Sequence, residues 1–449
     1  MDNSKRVLKE GCEREEGIRE MRKRLNTGWM FGFLFTFLIS PSIGEAQEGD
    51  FLSKFHPYIT VQEEYNDNIH LTNTNKIDDF ITTVSPGLKF SALSEKTYGI
   101  DLDFAAGFVY YARNHDFNYF SPSGNLNAWY AMTPTLTFRV RDYLIRSDAA
   151  REQVYTANAP ADQFLLSTQR GQHAIYIRNV VEPSVEYKFA KDGLISVLYR
   201  NNIYNNQNPL YEDSQENTIN PKLTYWFDVN NGIALDYSLT FGTYERSPDQ
   251  LGQRVTPRYT YRFNPTTSIF GTYSYQRQDF KSPGIDYDVH NPSLGIDYKF
   301  SPTLSGTAQV GYFWQIPEEG TKTEGPSFNV SLTKSAKRTT YTLSFQGGYT
   351  EDYFTAQNRG FAKYYRAYGT INHQLTEKLS VGVTGSVERA TYSSNGQRDW
   401  IYGIWGNASY PLLRWLSVSL QVGHIEDHSK ISDLNYSQYR AIFSATAAF

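Results

Sequence analysis

Cysteine and methionine are almost missing from this chain, which has one of the former and four of the latter. Helix-forming blocks of Ala, Leu, Glu and Lys are scarce as well. No apolar run approaches the about 20 residues that a membrane-crossing helix needs. Neither an H-E-x-x-H pair, a Cys/His metal spacing nor a G-x-S-x-G elbow is present, so metal and serine-nucleophile chemistry lack their usual signatures. Strong charge is missing too. The formal net charge is -4, which gives no reason to expect nucleic acid as a partner. The sequence calls for no cofactor and no catalytic residues.

What is present is aromatic: 35 Tyr, 28 Phe and 7 Trp, set among Asn, Thr, Ser and Gly. Mean hydropathy is nevertheless negative. A transmembrane β-barrel has this profile, because only alternate strand residues meet lipid. The apolar run Trp29–Ile39 follows Arg22, Lys23 and Arg24 and precedes Pro41 and Gly44-Glu45-Ala46. That is the layout of a signal peptide with cleavage after Ala46. We therefore expect a leader over 1–46, with Met21 as an alternative start, and a barrel over 47–449. Cleavage would remove Cys12, which suits an oxidising compartment. Sec-dependent export to the outer membrane of a Gram-negative bacterium follows. Outer-membrane lipid and the barrel assembly machinery are then the expected partners.

Beyond residue 50 the chain alternates at period two. In Leu416–Val422 every even position is apolar and every odd one polar. Short turns recur, each entered through aromatic or apolar residues. The clearest are YKFAKDGLI (187–195), YWFDVNNGI (225–233), YRFNPTTSI (261–269) and YKFSPTL (298–304). Five looser versions begin at 88, 130, 332, 373 and 410. Nine short turns at one end, with longer loops at the other, predict an all-β antiparallel outer-membrane barrel of about 20 strands (18–20). The last strand alternates to a terminal Phe449, which resembles the signal read by the assembly machinery. Proline recurs before the aromatics that end several strands, at Pro183, Pro221, Pro257 and Pro292. Either those strands start near the proline or each carries a bulge there. The roughly 9–11 residues that a spanning strand requires favour bulges.

The segment 61–90 reads VQEEYNDNIHLT and then DDFITTVSPGLKF. Its Glu64-Tyr65-Asn66-Asp67-Asn68-Ile69 and Ser85-Pro86-Gly87 resemble the opening of the putative β-barrel porin family, whose members are associated with exopolysaccharide biosynthesis and export. The resemblance implies a role in polysaccharide secretion, with polysaccharide and periplasmic secretion components as partners. It brings no catalytic residues. Physically, the Asn- and Asp-rich stretch reads as a turn; oxygen ligation of calcium by Glu63, Glu64, Asp67 and Asn68 is the alternative.

Charges cannot face lipid cheaply, so strand parity turns Asp101, Asp103, Arg139, Arg141, Arg178, Glu182, Glu186, Asp236, Arg258 and Arg262 into the lumen. There they either pair across strands or set up a transverse field. Trp226, Phe270, Phe313 and Trp405 share inward parity and could stack on sugars. His290 near Ser293, and Asp427-His428-Ser429, read as solvated loop residues. The longest loop, 147–172 with Phe164-Leu165-Leu166, is expected to constrict the mouth. Only about ten residues separate Ala46 from Tyr58, too few for a plug, so an open pore is favoured. A passive conduit for exopolysaccharide and a closed structural or assembly barrel remain the two readings.

Overall fold

The computed structural model describes residues 53–94, 96–148, 174–354 and 358–449. The expected leader and nearly all of the loop containing Phe164 lie outside the described residues. From Phe55 onward the chain forms one unit of antiparallel strands. The first five are β1 (Phe55–Asn66), β2 (Asp79–Leu93), β3 (Tyr98–Tyr111), β4 (Tyr119–Ala131) and β5 (Leu136–Ser147). Next come β6 (Tyr176–Phe189), β7 (Gly193–Asn206), β8 (Ser214–Trp226), β9 (Asn231–Tyr244) and β10 (Gln250–Asn264). They are followed by β11 (Thr267–Phe280), β12 (Tyr287–Ser301), β13 (Leu304–Pro317), β14 (Thr323–Ser335) and β15 (Thr339–Asp352). The last are β16 (Gly360–Gln374), β17 (Ser380–Tyr392), β18 (Arg398–Pro411), β19 (Leu416–Ser429) and β20 (Tyr436–Ala448). The expected twenty strands and nine short turns are all there.

Each strand pairs with its neighbours in sequence, and β1 pairs with β20 from Tyr58↔Ala448 to Asn66↔Arg440. That last pairing closes the barrel. Hydrocarbon offers no hydrogen bonds to an open edge, so closure is what lets such a sheet sit in a membrane. The outer face is apolar and exposed, carrying Ile59, Phe104, Leu235, Leu343 and Leu420 among others. The repeated Y-x-F turn motif now has a physical meaning. Both aromatics point outward at the short-turn end and meet edge-to-face, as in Tyr225–Phe227 (5.2 Å), Tyr261–Phe263 (4.8 Å) and Tyr298–Phe300 (4.6 Å). This is one of the aromatic girdles that mark a membrane interface.

The prolines are a correction to both readings of the sequence. Pro86, Pro122, Pro183, Pro221, Pro257, Pro292 and Pro326 each lie inside an even-numbered strand, β2 to β14. None starts its strand, and none carries a bulge. Pro257 pairs with Leu235 on one side, while on the other the ladder skips from Val255↔Tyr275 to Arg258↔Thr272 with its register unchanged. A residue's N–H and C=O point to the same neighbour in an antiparallel ladder. The missing proline N–H therefore breaks bonds to the following strand only, and the preceding strand holds the register. The register shifts that do occur sit beside the short turns, at Arg262/Asn264 and Lys299/Ser301.

Pro257→Thr should restore a ladder bond and stabilise the barrel by about 0.5–1.5 kcal/mol, read as a higher urea midpoint in lipid vesicles. A lower midpoint would mean that the proline holds a distortion the residue pairing does not show.

Candidate functional site

The site is the inner wall. Parity and register turn each of the charged residues named above toward the lumen, and most of them are engaged by a polar or charged partner on another strand. Arg139 meets Glu186 at 3.3 Å and Arg141 meets Glu182 at 3.2 Å. Arg200 lies between Glu182 (3.8 Å) and Glu216 (4.0 Å). Buried Arg178 donates to Asn202 Oδ1 at 3.2 Å. Lower in the wall, Asp103 accepts from Tyr58 Oη at 2.6 Å with Lys89 at 3.6 Å, and Asp101 accepts from Ser91. Lys222 pairs with Asp236 at 2.8 Å and Arg258 with Asp297 at 3.3 Å. Pairing across neighbouring strands is thus the dominant arrangement. Arg262 is an exception: its guanidinium lies 4.2 Å over the Trp226 ring and donates to the carbonyl of Val229.

The inward aromatics lie flat against the wall, over glycines of the adjacent strand. A Cβ at Gly232 would collide with Trp226, one at Gly423 with Trp405, and one at Gly295 with Phe270. Trp129 over Gly99 and Tyr58 over Gly87 are built the same way. Parity finds an inward aromatic, but only the register finds the glycine beneath it, so these two escaped the sequence. The proposed stacking set also needs correcting. Phe270 is buried, with the Arg258 guanidinium 3.6 Å above its ring, and Phe313 is wholly covered.

What covers Phe313 is a loop that the sequence did not single out. Pairing of β14 with β15 stops at Phe328↔Gly347, whereas β15 and β16 stay paired up to Asp352↔Gly360. The turn away from β14 falls at Gly348, whose φ of +149° a side chain would oppose. Beyond it the described residues 349–354 and 358–361 of the β15–β16 hairpin turn inward. Tyr349 and Phe361 pack on Phe313 and Tyr287. Tyr353 Oη bonds Tyr287 Oη at 2.8 Å, and Phe354 stacks on Tyr244 at 5.6 Å. Glu351 takes hydrogen bonds from Gln276 Nε2 (2.5 and 2.6 Å) and faces Arg254 at 3.4 Å. Asn358 Nδ2 donates to Glu212 Oε2 at 2.9 Å, in the loop between β7 and β8. The hairpin therefore reaches from β15 and β16 to the inner face of β9–β12. Its sequence signal was Gly347-Gly348 and Gly360 bracketing an aromatic loop tip.

The E-Y-N-D-N stretch belongs to barrel closure. Glu64 receives two bonds from Arg440, at 2.8 and 2.7 Å. Asn66 Oδ1 accepts from Gln438 Nε2 at 3.0 Å. Asp67 Oδ1 accepts from the Tyr439 amide at 2.6 Å, and Asn68 Nδ2 donates to the Ser437 carbonyl at 3.0 Å. Tyr65 packs on Phe80. Glu63 points the other way, to Thr82, so the four residues of the calcium alternative do not converge. Phe449 stacks on Trp415 at 6.4 Å, and its amide bonds Pro57.

The serine-nucleophile arrangements come apart. His290 lies on the outer face bonded to Tyr273, while Ser293 lies on the inner face with Thr272 and Gln309. Asp427, His428 and Ser429 belong to β19 rather than a loop. Successive strand residues alternate between faces, so these three cannot act together.

A closed, aromatic-girdled antiparallel barrel with a polar interior is a transmembrane β-barrel. Residues 241–449 match the family model described as "Putative beta-barrel porin 2", in agreement with the resemblance of the opening motif. The fold is similar to that of the siderophore receptor PirA from Pseudomonas aeruginosa (TM-score 0.51, 11% identity, 88% of this chain and 80% of that chain). It is also similar to a mutant of the ferric enterobactin receptor PfeA from the same organism (0.50, 9%, 88% and 80%). The P. aeruginosa outer membrane protein opdK aligns over 89% of this chain and all of its own, at 10% identity and a TM-score of 0.43. No curated protein matches in sequence. The chain is an outer-membrane, porin-like β-barrel.

Glu64→Gln, which leaves Arg440 without its ionic partner, should cost about 1.5–3 kcal/mol in urea unfolding of the barrel. An unchanged midpoint would remove the closure role. A second expectation concerns pH. Burial raises the Glu212 carboxyl, but hydrogen bonds from Asn358, Ser247 and Arg246 outweigh it and hold the group below its usual range. Its contribution is therefore full above the ordinary carboxylate value and disappears as pH falls through the lowered one. Spin labels on the 353–359 tip and on β10 should separate on such acidification, and Glu212→Gln should loosen the tip at neutral pH. A distance indifferent to both would refute the Glu212 anchor.

Proposed function

We propose that this barrel is a conduit for a polar polymer, acting in exopolysaccharide export after Sec-dependent secretion and cleavage at Ala46. One observation carries the reading. In the half of the wall next to the short turns, the inner faces of β14–β20 carry hydroxyls and amides without a charge among the described residues. Thr333, Thr342, Thr370 and Thr384 run side by side across four strands, and Ser409, Ser419 and Ser444 across three more. Opposite stands the wall of paired charges. Passage needs contacts that are numerous but individually weak, so that a chain enters and also leaves. A hydroxyl-lined wall offers sugars such exchangeable hydrogen bonds. The family resemblance supplies the association with exopolysaccharide. Short turns face the periplasm in bacterial barrels, so periplasmic secretion components would deliver the polymer at that end. Phe449 would serve insertion by the assembly machinery.

The docked hairpin and the pairing of the charges favour a second reading, a closed barrel with a structural or assembly role. The two separate in single-channel recordings. A conduit should give small steps that flicker or block with oligosaccharide, and replacing 353–359 by a tight turn should raise the conductance severalfold. A folded, heat-modifiable barrel that passes no current with or without the hairpin would leave only the structural role.

A further inference from the structure

The inner wall of β10–β14 opens at its short-turn end into a cavity of about 790 Å³. Its lining includes Arg262, Lys299, Asp297 and the hydroxyls of Ser305, Thr307 and Thr333. The charges in it do not cancel. Asp297 is committed, with Arg258 at 3.3 Å and a hydrogen bond from Thr307 at 2.7 Å. Arg262 and Lys299 have no carboxylate within ion-pair distance among the described residues, in a lumen where most cations have one. Arg262 is pre-positioned by its stacking on Trp226, at 4.2 Å. The cavity thus presents two uncompensated cations and a floor of hydroxyl groups, on a protein whose net charge is -4.

Such a lining recognises an anion that also carries hydroxyls to bond. The register sets Arg262 level with Asp297 through Ser268, and Lys299 two residues nearer the rim. The two cations therefore stand two strands apart, roughly 10 Å at 4.7–4.9 Å per strand. One small oxyanion would leave most of the cavity unfilled, whereas a saccharide chain with repeating carboxylates meets both cations and the hydroxyls between them. From this geometry we propose that the cavity is a recognition site for carboxylate-bearing (uronic-acid-type) saccharide at the short-turn mouth. The site rests on the conduit reading for its biological ligand, but its occupancy can be measured without any current.

The test is calorimetric titration of the full-chain barrel in detergent with hexagalacturonate, maltohexaose and inorganic phosphate. Hexagalacturonate should bind at least tenfold more tightly than maltohexaose, and its affinity should fall with added salt as charge pairing requires. Arg262→Gln with Lys299→Gln should lower that affinity at least tenfold and flatten the salt dependence. Lys430→Gln, at the far end of the barrel, should leave both unchanged. If the double variant loses heat-modifiability, the single Lys299→Gln and the charge-keeping Arg262→Lys carry the comparison, the first weakening binding and the second preserving it. Equal binding of the neutral and acidic hexamers would overturn the proposal, as would a variant that binds like the original. Full competition by phosphate would reduce it to a small-oxyanion site and overturn the saccharide assignment. A barrel that binds but never conducts keeps the site and sinks the conduit; one that conducts but does not bind sinks the site alone.

Discussion

Every backbone N–H and C=O that meets hydrocarbon must find its partner within the protein, and the rest of the structure depends on this requirement. It makes the pairing of β1 with β20 as necessary as any hairpin, although the two strands stand at opposite ends of the unit. It also accounts for the chemistry concentrated at that seam. Nine of the nineteen sequential pairings are held by short turns, but no turn joins β20 to β1. In its place Glu64, Asn66, Asp67 and Asn68 bind Arg440, Gln438, Tyr439 and Ser437. The most recognisable motif of the chain is thus a staple across the one junction that chain connectivity leaves unsupported.

The same solvent sorts the side chains. Charge is costly on the lipid face of the membrane-spanning belt, so most of it accumulates inside, where the cost of an isolated ion encourages pairing with the neighbouring strand. Asp142, on the outer face of β5, is held by a hydrogen bond from Asn179. Against the paired wall of the early strands, the hydroxyl wall of β14–β20 and the two uncompensated cations by the short turns stand out. Aromatics obey a similar division. Outward ones form girdles through the Y-x-F repeat, while inward ones such as Trp226 and Trp405 lie over glycines of the adjacent strand.

The inward hairpin between β15 and β16 belongs to a different level. The ladder bonds absent between β14 and β15 above Gly347 are replaced by tertiary contacts, with Glu351 on Gln276 and Arg254 and aromatic packing on Phe313. It narrows the lumen from one side. Under the conduit reading, polymer would pass only along the remaining wall or after the hairpin leaves its seat, and the anchors at Glu351 and Glu212 would then control passage.

Strand number, facing, closure on Phe449's strand and the membrane setting were legible in the sequence, because period-two alternation and turn repeats are local and the bilayer permits few solutions to them. Parity alone turned Arg139, Glu186, Trp226 and Trp405 toward the lumen. Which of them meet was beyond it: Arg141 on Glu182, or Trp405 over Gly423, follows from register between strands, which a pattern within one strand does not encode. The prolines show the same boundary. Their spacing was plain, but whether a missing N–H bends a strand depends on the neighbour that holds it. The docked hairpin lies furthest from view, since its partners are 36 to 146 residues away along the chain. Local pattern determined the barrel; long-range packing alone decided what its lumen contains.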